Sequence, residues 1–201
     1  SKYLYSAYSE AFKSLESFCE VIKICGIGQS ASLLRMAIEF ASIAEVLNKY
    51  PEVNETYIDH YNFRYSISNL RSFEQRSKIC EKYKHLNIKQ MDALNFIDYG
   101  WLSSLTNDIK CGQHELVRLA GFEDMIPWID KLNSFIHGTY VFVNLADPEG
   151  VNSIKMSHFL IDIAAKLLDH LCVSFHNKTN FDFVFDGEKK FDLFRMYYKS
   201  I

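Results

Sequence analysis

SLLRMAIEFASIAEVLNKYP, Ser32 to Pro51, decides the fold. One face of it holds Leu33, Leu34, Ala37, Ile38, Ala41, Ala44 and Leu47, in steps of three and four. That spacing returns to one face of a helix. Ser30 or Ser32 can cap its start, and Pro51 follows a few residues after its last apolar position. Arg35 and Glu39 interrupt the run, one turn apart. A guanidinium on a mostly apolar helix is costly unless paired, and Glu39 is the partner within reach.

The same period extends outward in both directions. Residues 2 to 24 carry Leu4, Tyr8, Phe12, Leu15, Phe18, Cys19 and Ile22 on one stripe, with Gly26 and Gly28 as stop signals. A third, long helix is predicted over about residues 52 to 84, its polar side holding Arg64, Arg71, Lys78 and Lys82 beside Glu74 and Glu81. That stripe reads as a solvated face or, alternatively, as one turned toward RNA. A fourth helix is predicted over 89 to 105, a short one from His114 to Ala120 ending at Gly121, and another from Glu123 to about Asn144. The acidic pair Glu123 and Asp124 suits the positive end of that helix, and Pro127 is tolerated in its first turn. Asp147-Pro148-Glu149-Gly150 reads as a turn before a strongly amphipathic helix over 151 to 176. FDFVFD alternates near the end, and a last helix over 188 to 199 would present Phe191, Phe194 and Tyr198. The expectation is an all-α, single-domain helical bundle of about seven helices over residues 1–201, its core at about 30–175 and an aromatic tail over 180–201.

Composition agrees with that class. Gly (8) and Pro (3) are scarce, and turn-rich β folds need both. The net charge of -3 gives no overall basic surplus for gripping phosphates, which leaves only local patches. The five cysteines are widely spaced and odd in number, which suits reduced thiols in a cytoplasm better than a disulfide frame or a zinc site. No apolar run reaches the roughly 18 residues that would span a bilayer.

Few motifs carry chemistry. Gly26-Ile27-Gly28 follows a helical run with no Lys-Ser/Thr after it, so it is no phosphate cradle. No serine sits in a Gly-x-Ser-x-Gly setting. His158 and Asp162 share a helix face but lack a second ligand pair. The remaining stretch is KLNSFIHG, Lys131 to Gly138. Asn133 stands one turn before His137 on the same face, and Gly138 leaves room for a backbone or ligand to approach. His137 is either a packed residue closing a helix or a catalytic imidazole, with Arg35 and Glu39 either a structural pair or the holder of a third group.

The order of these segments resembles a known pattern. Leu33-Leu34-Arg35 with Glu39, then Leu116 to Phe122, then Trp128 through Ser134-Phe135-Ile136-His137-Gly138, is similar to an uncharacterised bacterial family of HEPN-like helical proteins. The resemblance covers roughly residues 30 to 175. It implies a helical bundle that dimerises and, in many members, cleaves RNA without metal or cofactor in phage defence or toxin–antitoxin systems. There a histidine acts as general acid or base on the 2′-hydroxyl while an arginine stabilises the phosphorane. His137 matches the histidine. Lys131 stands six residues before it where an arginine is expected, and it lacks the planar fork that grips phosphate in two places. Arg35 is the substitute guanidinium. The implied site is therefore His137, Arg35, Glu39, Asn133 and Lys131. The alternative is a non-catalytic module that dimerises or docks a protein partner through the C-terminal tail.

Overall fold

A computed structural model of the chain describes residues 2–24, 27–68, 70–86, 99–106, 111–136 and 151–179. Its α-helices are α1 (Lys2–Val21), α2 (Ile27–Lys49), α3 (Asn54–Ser68), α4 (Phe73–Lys82), α5 (Ser103–Thr106), α6 (Gln113–Ala120), α7 (Ile126–Ile136) and α8 (Val151–Thr179). Short 3-10 turns at Pro51–Val53, Lys84–Leu86, Gly100–Leu102 and Glu123–Met125 join them. No strand occurs among the described residues. The protein is an all-α helical bundle. No helix among those residues is long and apolar enough to cross a membrane.

α2 is the axis of the bundle, packing against α1, α6, α7 and α8. The reason lies in its composition. From Ala41 to Leu47 every residue is buried, including Ser42 and Glu45. A helix covered on all sides must sit at the centre of its neighbours. Ser42 makes this tolerable by donating its hydroxyl to the Ile38 carbonyl, 2.8 Å away. α1 lies along α2 with Leu4, Tyr8, Leu15, Phe18 and Cys19 of the predicted stripe buried, Phe12 partly buried, and Ala11 added to the face. Burying each leucine-sized side chain contributes about 1.5–3 kcal/mol. α6, α7 and α8 close the other sides with Leu116, Val117, Ile129, Leu132, Leu160, Leu167 and Leu171.

Three expectations are corrected. Gly28 does not stop a helix, because α2 already begins at Ile27. Ile27 is buried in the core, which draws the first turn inward, and Ser30 and Ser32 then fall inside the helix. The Ser32 hydroxyl donates back to the Gly28 carbonyl at 3.0 Å rather than capping an end. The long third helix is two helices. Ser72 adopts an extended backbone (φ -76°, ψ 132°) ahead of α4. The break follows from Ser68-Asn69-Leu70-Arg71-Ser72, where short polar side chains compete for backbone groups and disfavour helix. α3 and α4 instead fold together as a hairpin around Phe63, Ile67 and Tyr83, with Ile79, Cys80 and Leu86 against them. The sevenfold basic stripe is lost with the break, since Arg71 sits in the link and not on a helix. Finally, the chain enters α7 through the 3-10 turn Glu123–Met125 rather than by a helix starting at Glu123.

α6 ends as its glycine requires. Gly121 has φ 84°, the left-handed conformation that L side chains resist. Its N–H donates to the Arg118 carbonyl at 2.9 Å, and the Phe122 N–H to the Val117 carbonyl at 3.0 Å. This paired closure leaves the Ala120 carbonyl over, and the Lys49 ammonium from α2 donates to it. The predicted segments over 89–98 and 137–144, the turn at 147–150 and the tail over 180–201 lie outside the described residues.

Candidate functional site

The middle of α2 turns its two charged residues toward α7. Arg35 Nε donates to Asn133 Oδ1 at 2.7 Å, a contact that joins positions far apart in sequence. Its Nη1 lies 3.8 Å from Glu39 Oε2, an ion pair rather than a close hydrogen bond. Glu39 is held from its other side, because the Tyr99 hydroxyl donates to Oε1 at 2.7 Å. Tyr99 is buried, while the Arg35 and Glu39 side chains keep 32% and 27% of their surface exposed. The pair is therefore braced by the core and open to solvent on one side.

Tyr57 adds an aromatic wall. Its ring meets Trp101 edge-on with centroids 5.0 Å apart. Burial raises the Tyr57 hydroxyl above its ordinary value, Tyr61 and Glu39 push the same way, and Arg64 opposes them. This places Arg64, from α3, in the electrostatic surroundings of the same cluster.

Of the predicted site residues, Arg35, Glu39 and Asn133 come together. Lys131 makes its contacts elsewhere. It stands two residues before Asn133, which on a helix is nearly the opposite side. Its ammonium lies 5.1 Å from the Trp128 ring centroid and 5.2 Å from that of Phe159. His137 lies outside the described residues, one position beyond the end of α7. Trp101 and Trp128 each sit in an aromatic pair of their own, with Tyr57 and Phe159. No group of three or more metal-binding side chains occurs among the described residues.

Comparison with protein-family models, with curated proteins and with solved structures finds no match to this chain.

A second polar cluster escaped the sequence reading. At the far end of α2, Glu45 is buried at 4% exposure and accepts a hydrogen bond from the Tyr8 hydroxyl of α1. Burial and the Glu45 charge push the Tyr8 hydroxyl far above its ordinary range. A pocket of about 440 Å³ opens beside Glu45, between α2, the Gly121 turn and α8. A signal for it was present. Glu45 lies in ASIAEVL, where every other residue is apolar or small, which marks it as a carboxylate set in a core-facing run.

Proposed function

We propose that this is an HEPN-like helical protein that cleaves RNA without metal, using the α2–α7 cluster and His137. The observation that carries the reading is the 2.7 Å bond from Arg35 to Asn133. Asn133 stands four residues before His137 in the sequence, so the guanidinium is tied to the chain segment that leads toward that histidine. The exposed side of Arg35 supports the same reading, because a phosphate needs access to it.

The imidazole of His137 takes the proton from a ribose 2′-hydroxyl. The 2′-oxygen attacks phosphorus, the 5′-oxygen leaves with the proton that the His137 imidazole took, and a 2′,3′-cyclic phosphate remains. The guanidinium of Arg35 stabilises the negative charge of the phosphorane, a contribution typically of order 10²–10³ in rate for one such donor. Glu39 and Asn133 orient the guanidinium. A homodimer supplies two copies of this cluster to one cleft.

The test is digestion of single-stranded RNA in the presence of EDTA. Cleavage leaving 5′-hydroxyl ends is expected, abolished in His137→Ala and reduced roughly 10²-fold in Arg35→Ala. A folded wild-type protein that leaves RNA intact, or a His137→Ala variant that cuts as well as the parent, rejects the reading.

A second reading has its own support. Tyr61, Tyr65 and Phe73 are exposed on the α3–α4 hairpin. Large aromatics in contact with water favour a module that docks a partner or a second copy. Under that reading RNA is uncut, and removing residues 180–201 alters the association state measured by sedimentation.

A further inference from the structure

Glu45 and Lys49 stand four residues apart on α2, with the glutamate first, the favoured order for a helical ion pair. They do not form one. Glu45 accepts from Tyr8 of α1, and the Lys49 ammonium is drawn onto the Ala120 carbonyl at the end of α6. No other charged partner of either group occurs among the described residues. The result is an anion and a cation held apart on opposite supports.

A buried carboxylate is expensive without a counter-charge, and one neutral hydroxyl supplies only part of it. The pocket beside it is polar, lined by Glu45, Asn48, Lys49, Gly121, His170 and Ser174. At about 440 Å³ it falls within the range of small-molecule sites. Its wall is fixed. The rings of His170 and Phe122 are 4.8 Å apart, and His170 Nε2 lies 3.4 Å from Asp124 Oδ1. Gly121 leaves room for the Lys49 ammonium, since a Cβ there would come within 2.7 Å of its nitrogen.

We infer that this pocket binds a free α-amino acid through both of its charges, the ammonium on Glu45 and the carboxylate on Lys49. The alternatives fit less well. A simple anion would meet the Glu45 carboxylate, and a simple amine would meet the Lys49 ammonium. A zwitterion completes both halves of the divided pair, and its side chain then faces Asn48, Ser174 and His170.

Ligand-observed saturation-transfer NMR and calorimetry on the full chain decide this, with the standard L-amino acids as probes and propionate and ethylamine as single-charge controls. At least one amino acid should bind, about tenfold or more tighter than either control. Glu45→Gln keeps an acceptor for Tyr8 and removes the charge, so it should weaken binding about tenfold or more. His137→Ala should bind as the parent does, which separates this pocket from the cluster proposed for RNA. The inference is overturned if no amino acid binds, if propionate or ethylamine binds as tightly as the best amino acid, or if folded Glu45→Gln binds unchanged. The comparison with the two controls needs no variant, so it stands even where a substitution disturbs folding.

Discussion

α2 carries two glutamates and two cations at the same four-residue spacing, Arg35 with Glu39 and Glu45 with Lys49, and it treats them oppositely. The first pair faces a partly open surface and is joined at 3.8 Å. The second lies at the end of α2, with Glu45 buried and Lys49 exposed, and each member is claimed by another helix. Spacing along one helix therefore does not settle whether two charges meet. The competing supports do. At the first pair the neighbours Asn133 and Tyr99 reach in without separating the partners. At the second, α1 offers a hydroxyl to the acid and the closing turn of α6 offers a carbonyl to the base.

The largest effect expected from this contrast is at Tyr8. Tyr8→Phe removes the hydroxyl that Glu45 accepts from and leaves the carboxylate buried at 4% exposure. Leaving a buried polar group unsatisfied costs about 1–3 kcal/mol, more when it is charged. Urea denaturation near neutral pH should show that loss. If instead the double variant Tyr8→Phe with Glu45→Gln is no more stable than Tyr8→Phe alone, the penalty does not come from the stranded carboxylate.

The uneven legibility of the sequence has the same origin. The stripes of α1 and α2 could be read directly, because burial on one or more faces repeats with the helical period. The hairpin of α3 and α4 could not. Phe63, Ile67, Ile79 and Tyr83 fit a continuous helix about as well as a folded one, and only the weak helix preference of residues 68–72 marks the break. Arg35 and Glu39 could be paired on paper because they stand one turn apart on one helix, and the structure adds the bond from Arg35 to Asn133. Tyr99 was missed as the partner of Glu39, since a hydrogen bond between elements leaves no mark in local spacing. The same holds for Tyr8 and Glu45, and for Lys49 reaching across to Ala120.

A second test sharpens the contrast through pH. The Tyr8 hydroxyl is raised above its ordinary value of 10.0, chiefly by burial and then by Glu45. Above that pH the folded state keeps a proton that the unfolded chain has released. Stability then falls as pH rises, by at most ~1.4 kcal/mol per pH unit for one tyrosine, and is unaffected below pH 10. Tyr57, also raised, contributes in the same direction. The stability gap between wild type and Tyr8→Phe should therefore shrink between pH 10 and 11. A gap that stays constant over that interval would show that Tyr8 titrates in the folded protein as it does in the unfolded chain.

The smallest effect belongs to the pair that does form. Arg35 and Glu39 are joined at 3.8 Å, with 32% and 27% of their side chains exposed. Water screens such a pair, and one-turn helical ion pairs contribute about 0.3–0.5 kcal/mol. A double-mutant cycle with Arg35→Met and Glu39→Gln should return a coupling of about that size. Glu39→Gln keeps an amide oxygen that can accept from Tyr99, and Arg35→Met leaves the half-buried Asn133 amide within reach of water. The consequence for function is direct. A weak, accessible pair costs little to open, so a phosphate can displace Glu39 from Arg35 without unfolding the cluster. A coupling above ~1.5 kcal/mol, beyond what exposed pairs give, would instead make this pair a bolt between helices. In that case Arg35 would be committed to the fold, and the contrast between the two ends of α2 would disappear.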